Sequence, residues 1–129
     1  MHDPIADMII RLKNAQDVGK TSIVFPYSKM KLAVAEILQK TGYIKSTLKK
    51  GKKIAKSIEV ELVYDGDLPK IRGVKRVSKF SQRIYKGAKD IFPVKQGKGM
   101  SIISTPQGIL TDKEARKTNT GGEILFEIW

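Results

Sequence analysis

The stretch MSIISTPQGILTDKEARK, residues 100–117, contains the pattern of two strands joined by a tight loop and followed by a short helix. Apolar and β-branched residues at 100–105 and 109–110 predict the strands, and the small polar residues between them predict the turn. Thr111 with Glu114 three residues later matches a capping box, which is typical of a helix start. This one stretch therefore predicts a β-rich region with a brief helix over residues 112–117.

Further short β-like runs lie on both sides of this stretch, separated by glycine, proline or charged turns. They cover residues 71–78, 83–85 and 123–128. Because β-branched and aromatic residues favour strands and Gly and Pro interrupt them, these runs predict several short strands rather than long ones. The second half of the chain is therefore predicted to be mostly strands.

The first half combines helical and strand patterns. An Asp-Pro pair at residues 3–4 is typical of an N-cap and first helical position, and apolar residues at helical spacing predict a helix ending near Gln16. A second amphipathic helix is predicted over residues 29–40, with Ser28 as its N-cap and Gly42 as the left-handed residue beyond its end. Strands are predicted at residues 21–25, 43–48 and 54–64, with a hairpin loop at 49–53.

Turn-forming residues cluster at DGDLP, residues 65–69, and no apolar period crosses them. They mark the best candidate boundary in a chain of 129 residues, which is long enough for one domain or two small ones. The predicted fold class is α+β, with two small α+β subdomains packed together. Residues 1–65 form the first, helix-strand-helix-strand-strand, and residues 66–129 form the second, mostly short β-strands with one short helix.

The chain is strongly basic. Lysine and arginine number 25 against 13 acidic residues, which gives a net charge of +12. Residues 45–56 carry six lysines and no acid, and residues 70–98 carry ten basic residues against Asp90 alone. Clustered charge of one sign indicates an anionic partner, for which RNA, DNA and an anionic membrane are the alternatives. Any single lysine is also explained as an ordinary solvated side chain.

Several function classes find little support in the composition. The chain has no cysteine and a single histidine, His2, so thiolate zinc sites, cysteine nucleophiles and histidine triads are excluded. The carboxylates of Asp112 and Glu114 are typical of a helix start rather than of a catalytic pair. No apolar run approaches the ~20 residues that span a membrane, and the acidic N-terminus does not resemble a targeting segment. We therefore predict a cytoplasmic protein that is not an enzyme.

Two loops are candidates for anion or RNA binding. Ser104, Thr105, Gln107 and Gly108 place two hydroxyls, an amide and a glycine in one tight loop, where they could reach base edges or 2′-hydroxyls. The glycines within residues 95–99 could bring backbone amides close to a phosphate. Either loop is also explained as a plain turn. Tyr85, within a basic strand, could stack on a base or could pack as a half-buried side chain.

Several motifs in sequence order resemble the small-subunit ribosomal protein number eight family, bacterial type, from residue 3 to residue 129. They are Asp3–Met8 with Arg11 and Asn14-Ala15, Pro26–Lys29, Gly42–Ile44, Arg76–Lys79, Arg83–Tyr85, Ile102–Thr105, Gly108–Asp112, Glu114–Lys117 and Gly121–Ile124 through Trp129.

The resemblance implies direct binding to the central domain of 16S ribosomal RNA early in assembly, and a role in organising the platform region of the small subunit. It implies neighbouring small-subunit proteins as partners, notably number five, and a location in cytoplasmic ribosomes. It implies no catalysis, no cofactor, no metal, no membrane and no small-molecule substrate. Some members of this family also repress translation of their own operon messenger, so the resemblance implies this repression as a possible further role.

The resemblance further implies a set of RNA-binding residues. The second subdomain would contribute the loop residues Ser104, Thr105, Gln107 and Gly108, together with Tyr85, Arg83, Lys86, Arg116, Lys117, Gly121 and Gly122. The first would contribute Asp3, Pro4, Arg11, Asn14, Ser28 and Lys29.

Three positions depart from the family pattern. Pro106 stands where serine is usual, which removes a hydroxyl and a backbone N–H from the loop predicted to read RNA. Phe80-Ser81 replaces a Pro-Gly turn, and Lys98 replaces an apolar residue between two glycines.

Overall fold

The computed structural model describes residues 3–51 and 56–129 and confirms an α+β fold. The helices are α1 (Pro4–Asp17), α2 (Lys29–Lys40) and α3 (Asp112–Lys117). The strands are β1 (Ser22–Pro26), β2 (Ile44–Lys50), β3 (Ser57–Leu62), β4 (Tyr64–Asp65), β5 (Leu68–Pro69), β6 (Val74–Arg76), β7 (Tyr85–Lys86), β8 (Met100–Thr105), β9 (Gly108–Thr111) and β10 (Gly122–Ile128). Short 3₁₀ turns cover Ala88–Asp90 and Lys95–Gly97.

The chain forms two compact units. The first unit is Asp7–Arg72, and the second unit is Gly73–Trp129 together with the described residues up to Ala6. The turn at residues 65–69 is the tip of the β4–β5 hairpin, where Gly66 has a φ of 66°. This hairpin belongs to the first unit, which continues as far as Arg72.

The first unit contains a three-stranded antiparallel sheet in the order β1-β3-β2. Phe25, Ile58 and Val60 are fully buried, whereas Glu61 is exposed and Val24 is 51% exposed. This alternation is that of a sheet with one face on a core and one in solvent. The buried residues of the two helices complete the core: Met8, Ile9 and Leu12 on α1, and Val34, Ala35 and Leu38 on α2.

The predicted helix ends agree with the structure. Asp3 Oδ1 accepts hydrogen bonds from the backbone N–H groups of Ile5 and Ala6, both at 3.2 Å, so Asp3 is the N-cap of α1. Ser28 Oγ accepts from the Lys31 N–H at 3.1 Å and starts α2, which covers residues 29–40 as predicted. Gly42, beyond its end, has a φ of 88°.

The second unit is built on one antiparallel sheet in the order β6-β10-β8-β9, with β7 also paired to β10. Residues 100–103 of β8 are buried without alternation. Ile103 and Ile124 pack with Ala115 of α3 and with Ile91 in one core cluster. The predicted capping box is confirmed, since the Thr111 hydroxyl accepts from the Glu114 N–H and the Glu114 carboxylate accepts from the Thr111 N–H.

The strand predictions differ mainly in length. The run at 71–78 forms only the three residues of β6. Of the run at 83–85, only Tyr85 lies in a strand, β7, which continues to Lys86. The prediction at 54–64 ends earlier because Leu62 closes β3 and Tyr64 begins β4, while residues 54–55 lie outside the described residues. The hairpin loop predicted at 49–53 also lies partly outside them, and β2 itself continues to Lys50.

Candidate nucleic-acid interface

The β8–β9 hairpin carries the loop predicted to contact RNA. Thr105 pairs with Gly108 across the turn, and Gly108 has a φ of 107°. The Thr105 hydroxyl donates to the Gly108 carbonyl at 2.7 Å and accepts from the Gln107 N–H at 3.1 Å. Pro106 and Gln107 at the tip are exposed. Thr105 therefore braces the turn, which presents the Gln107 amide and the exposed Gly108 backbone to solvent.

A row of paired residues crosses the sheet beside this hairpin. Tyr85 on β7 pairs with Glu123 on β10, Glu123 pairs with Ser104 on β8, and Ser104 pairs with Ile109 on β9. Residues directly opposite one another in a sheet project on the same face. Tyr85 and Ser104 therefore share a face about 10 Å apart, two strand spacings, with Glu123 between them. The Tyr85 residue is 69% exposed.

Glu123 lies at the centre of this row, and its side chain is only 12% exposed. Its carboxylate accepts hydrogen bonds from the Ser78 hydroxyl and from Arg83 Nη1, the latter at 3.1 Å. Ser78 is fully buried, and its oxygen also accepts from the Ile84 N–H at 3.1 Å. Sequence reasoning assigned Arg83 to RNA and missed Ser78 and Glu123. Arg83 neutralises Glu123 within the protein.

The two consecutive glycines at the start of β10 are required by close backbone approaches. A Cβ atom on Gly121 would lie 2.5 Å from the Lys86 carbonyl oxygen, and one on Gly122 would lie 2.2 Å from the Ser104 carbonyl oxygen. No other residue type fits at these distances without moving a neighbouring strand. The glycines thus let β7 and β8 lie close against β10 on its two sides.

The last turn of helix α3 supplies two of the predicted basic residues, Arg116 and Lys117. Arg116 donates to Asp112 Oδ2 at 2.9 Å, and the Asp112 side chain is 5% exposed. Asp112 Oδ1 also accepts from the Ser101 N–H at 3.2 Å, so this pair anchors α3 to β8. Lys117 is exposed. Of these two predicted residues, Arg116 has a structural partner and Lys117 projects to solvent.

Asp3 and Pro4 belong to the second unit. The Asp3 carboxylate caps α1 and is paired with Arg76, whose Nε lies 3.0 Å from Asp3 Oδ2. Burial raises the pKa of Asp3, but the hydrogen bonds from Arg76 and from the backbone N–H groups of Ala6 and Ile5 outweigh it. The pKa of Asp3 is therefore lower than its ordinary value. Asp3 is a structural residue, and Pro4 is the first residue of α1.

The four remaining predicted residues lie in the first unit. Arg11 donates to the Val24 carbonyl at 3.2 Å and lies 4.8 Å from the centre of the Phe25 ring, so its guanidinium packs on β1. Ser28 is occupied as the N-cap of α2. Asn14 and Lys29 are exposed, and the Arg11 side chain is 41% exposed.

The loop at residues 95–99 is a turn and not a phosphate cradle. Lys95, Gln96 and Gly97 all have positive φ angles, of 49°, 57° and 89°. The amides of Gly97 and Gly99 donate to the Val94 carbonyl, and the amide of Lys98 donates to the Lys95 carbonyl, at 3.0 to 3.1 Å. Because these three N–H groups have partners inside the turn, the interpretation as an anion site is wrong.

In the part of the chain that the structure describes, no three His, Asp or Glu side chains are grouped closely enough to hold a metal ion. No helix within the same residues is long and apolar enough to cross a membrane.

Comparison with known proteins agrees with the resemblance seen in the motifs. The family model described as Ribosomal protein S8 matches residues 3–129. A small ribosomal subunit protein uS8 from Mesomycoplasma hyopneumoniae (strain 7448) is 48% identical over 127 residues, which cover 98% of this chain and 96% of the relative. The uS8 protein of Cupriavidus metallidurans is 47% identical over 127 residues, covering 97% and 95%. That of Leptothrix cholodnii is 46% identical over 125 residues, with the same coverage. The chain belongs to the ribosomal protein S8 family.

Proposed function

We propose that this chain is a primary rRNA-binding protein that binds the central domain of 16S ribosomal RNA and helps organise assembly of the platform region. The observation that carries the proposal is the row of Tyr85, Glu123 and Ser104 beside the braced β8–β9 hairpin. This row offers a ring, a neutralised carboxylate and a hydroxyl on one face of a basic chain.

Family membership supports the coarser part of this function directly. As a member of the ribosomal protein S8 family, the chain is a structural constituent of the small ribosomal subunit and not an enzyme. It therefore associates with ribosomal RNA in the ribosome, in the cytoplasm. Its net charge of +12 suits a polyanionic partner.

Recognition at the second unit is proposed to depend on small polar groups rather than on charge. The Gln107 amide and the exposed backbone of Gly108 suit contacts with 2′-hydroxyls and base edges of an irregular RNA helix. The Ser104 hydroxyl forms no hydrogen bond to any residue that the structure describes, so it is available to RNA. Tyr85, at 69% exposure, provides a ring on which an unpaired base can stack.

Affinity is proposed to come from exposed lysines in both halves of the chain. Lys86 and Lys117 carry it in the C-terminal subdomain, residues 66–129, and Lys29 with Asn14 forms a second contact in the N-terminal subdomain, residues 1–65. Phosphate contacts position a protein on RNA without reading sequence, and they weaken as salt rises. Specificity would thus come from the C-terminal subdomain, and salt-sensitive affinity from both subdomains.

Binding to a central-domain RNA fragment and to a scrambled RNA of equal length, across a salt series, tests this function. The cognate preference should survive high salt because it rests on neutral groups. Ser104→Ala should weaken cognate binding about tenfold and leave scrambled RNA unchanged. Lys117→Ala should weaken both RNAs alike and lower the salt slope by about one. Equal affinity of the wild-type protein for both RNAs, with parallel salt slopes, would refute the proposal.

Two finer parts of the function concern partners. We propose small-subunit ribosomal protein number five as a neighbour in the assembled subunit, and repression of the operon messenger through the RNA-binding surface of the second unit. If a messenger leader binds this surface, it should compete with the central-domain fragment, and Ser104→Ala should weaken both complexes by the same factor. Simultaneous binding of the two RNAs would show that the messenger does not use this surface.

A further inference from the structure

We propose that Phe80 and the concavity beside it form a stacking site for an unpaired RNA nucleobase. The inference rests on the RNA-binding function proposed above and adds a contact separate from the β8–β9 hairpin. Phe80 is 42% exposed although it is a large apolar side chain. It occupies a tight turn in which Lys79 and Gln82 exchange backbone hydrogen bonds of 2.9 and 3.1 Å. The ring is therefore presented on a braced turn.

One face of the Phe80 ring is covered from within the protein. The Arg83 guanidinium carbon lies 5.0 Å from the ring centre, within the distance of a cation–π contact. Arg83 is itself held by its ion pair with Glu123. A cation fixed over one face restricts the orientation of the ring, and the opposite face is the one proposed to receive a second flat group. Stacking of a nucleobase on that face needs little further ordering of the side chain.

A concavity of about 340 Å³ lies next to the ring. Its volume is at the lower end of the range of small-molecule sites, about 300–1,000 Å³, which suits a single heteroaromatic ring system. Its walls are formed by six residues of the second unit, Asp3, Ala6, Arg76, Lys79, Phe80 and Ser81.

Two of the charged wall residues, Asp3 and Arg76, already have hydrogen-bond partners within the protein. Arg76 Nε and Nη2 donate to Asp3, and Arg76 Nη1 donates to the Leu125 carbonyl. The Asp3–Arg76 pair is therefore a neutral wall and does not itself attract an ion. The groups left for an occupant are the Phe80 ring, the Ser81 hydroxyl and the ammonium of Lys79, and all three residues are exposed.

An aromatic ring next to a lysine fits a nucleotide better than an apolar peptide. The base can stack on Phe80 while its phosphate approaches Lys79, whereas an apolar peptide would leave the ammonium without a counter-charge. The surrounding segment, residues 70–98, carries ten basic residues and one acid. Charge complementarity therefore favours RNA as the occupant.

Substitutions at Phe80 test the stacking contact, with hexauridylate and the central-domain fragment as probes. Phe80→Ala should weaken binding of both RNAs about 5- to 150-fold, since base–aromatic stacking is sequence-tolerant. Phe80→Tyr should restore the affinity, and Phe80→Leu should not, because leucine is apolar but has no π face. Phe92→Ala is the matched control, since Phe92 is 68% exposed in the same basic segment but does not line the concavity. It should bind as the wild type does.

A Phe80→Trp variant gives a direct readout. Hexauridylate should quench its fluorescence beyond the change seen in the wild type, whose one tryptophan is Trp129. If Phe80→Ala and Phe80→Leu both keep wild-type affinity while the wild type still prefers the cognate fragment, the stacking site is refuted and the proposed function stands. If the wild type shows no preference but Phe80→Ala loses hexauridylate, the proposed function fails and the stacking site is supported.

Discussion

A Cβ atom on Gly122 would lie 2.2 Å from the carbonyl oxygen of Ser104 and 3.0 Å from its carbonyl carbon. Both atoms belong to the backbone of β8, so no side-chain rotation relieves the overlap. Because Gly122 has no Cβ atom, β10 can lie close against β8 at the row that places Ser104, Glu123 and Tyr85 on one face. The position of the candidate interface thus depends on the absence of a Cβ atom at residue 122.

Gly122→Ala should therefore separate β10 from β8 locally. We expect the free energy of unfolding to fall by about 1–3 kcal/mol, the range for an overpacked site. Urea denaturation monitored by circular dichroism measures it. Gly87→Ala is the control, because a Cβ there meets no atom within 4 Å and its φ is −72°. Unchanged stability of Gly122→Ala would mean that β8 moves without penalty.

Ser78 is fully buried and satisfies two groups at once, the Glu123 carboxylate and the Ile84 N–H. Ser78→Ala leaves both with one partner fewer, so we expect a loss of about 1–3 kcal/mol in unfolding free energy. Ser81→Ala, at an exposed turn position, should unfold at the same urea concentration as the wild type. Equal midpoints for the two variants would contradict the role assigned to Ser78.

Asp3 makes stability depend on acid pH. Because its pKa in the folded protein is below the ordinary value of 3.8, its contribution is fully present above pH 3.8 and is lost as the pH falls through the folded pKa. In Asp3→Asn, the unfolding free energy should fall less steeply on acidification below that pH than in the wild type. Asp67→Asn, on the exposed β4–β5 turn, serves as the control and should follow the wild-type profile.

Gln16 is a buried amide that joins two segments of the first unit. Its Nε2 donates to the Val63 carbonyl at 2.7 Å, and its Oε1 accepts from the Ile71 N–H at 2.9 Å. Gln16→Ala leaves two backbone groups unpaired, and we expect a loss of about 1–3 kcal/mol together with faster hydrogen exchange at the Ile71 amide. Gln39→Ala, on the exposed face of α2, should alter neither measurement.

Elements with local signals were predictable from the sequence. Helices α2 and α3 were predicted with the observed bounds, because Ser28, Thr111 and Glu114 hydrogen-bond to backbone groups within three residues of themselves. Strand β8 was also predicted with its observed bounds, Met100–Thr105, because apolar and β-branched residues are dense there and turn-forming residues flank them. The length of strand β6 was overestimated, since the apolar pattern at 71–78 does not show how many of these residues pair with the neighbouring strand.

The amino-acid sequence by itself determined the α+β class, the basic character and the family, since these depend on composition, local spacing and motif order. Only the tertiary structure decided which polar residues are left at the surface. Arg83, Arg116 and Asp3 are predicted from the sequence to bind RNA, and the structure gives each of them an ion-pair partner within the protein. The bond between Ser78 and Glu123 joins residues 45 positions apart. Such partners come together only when the strands pair, so no local sequence pattern predicts them.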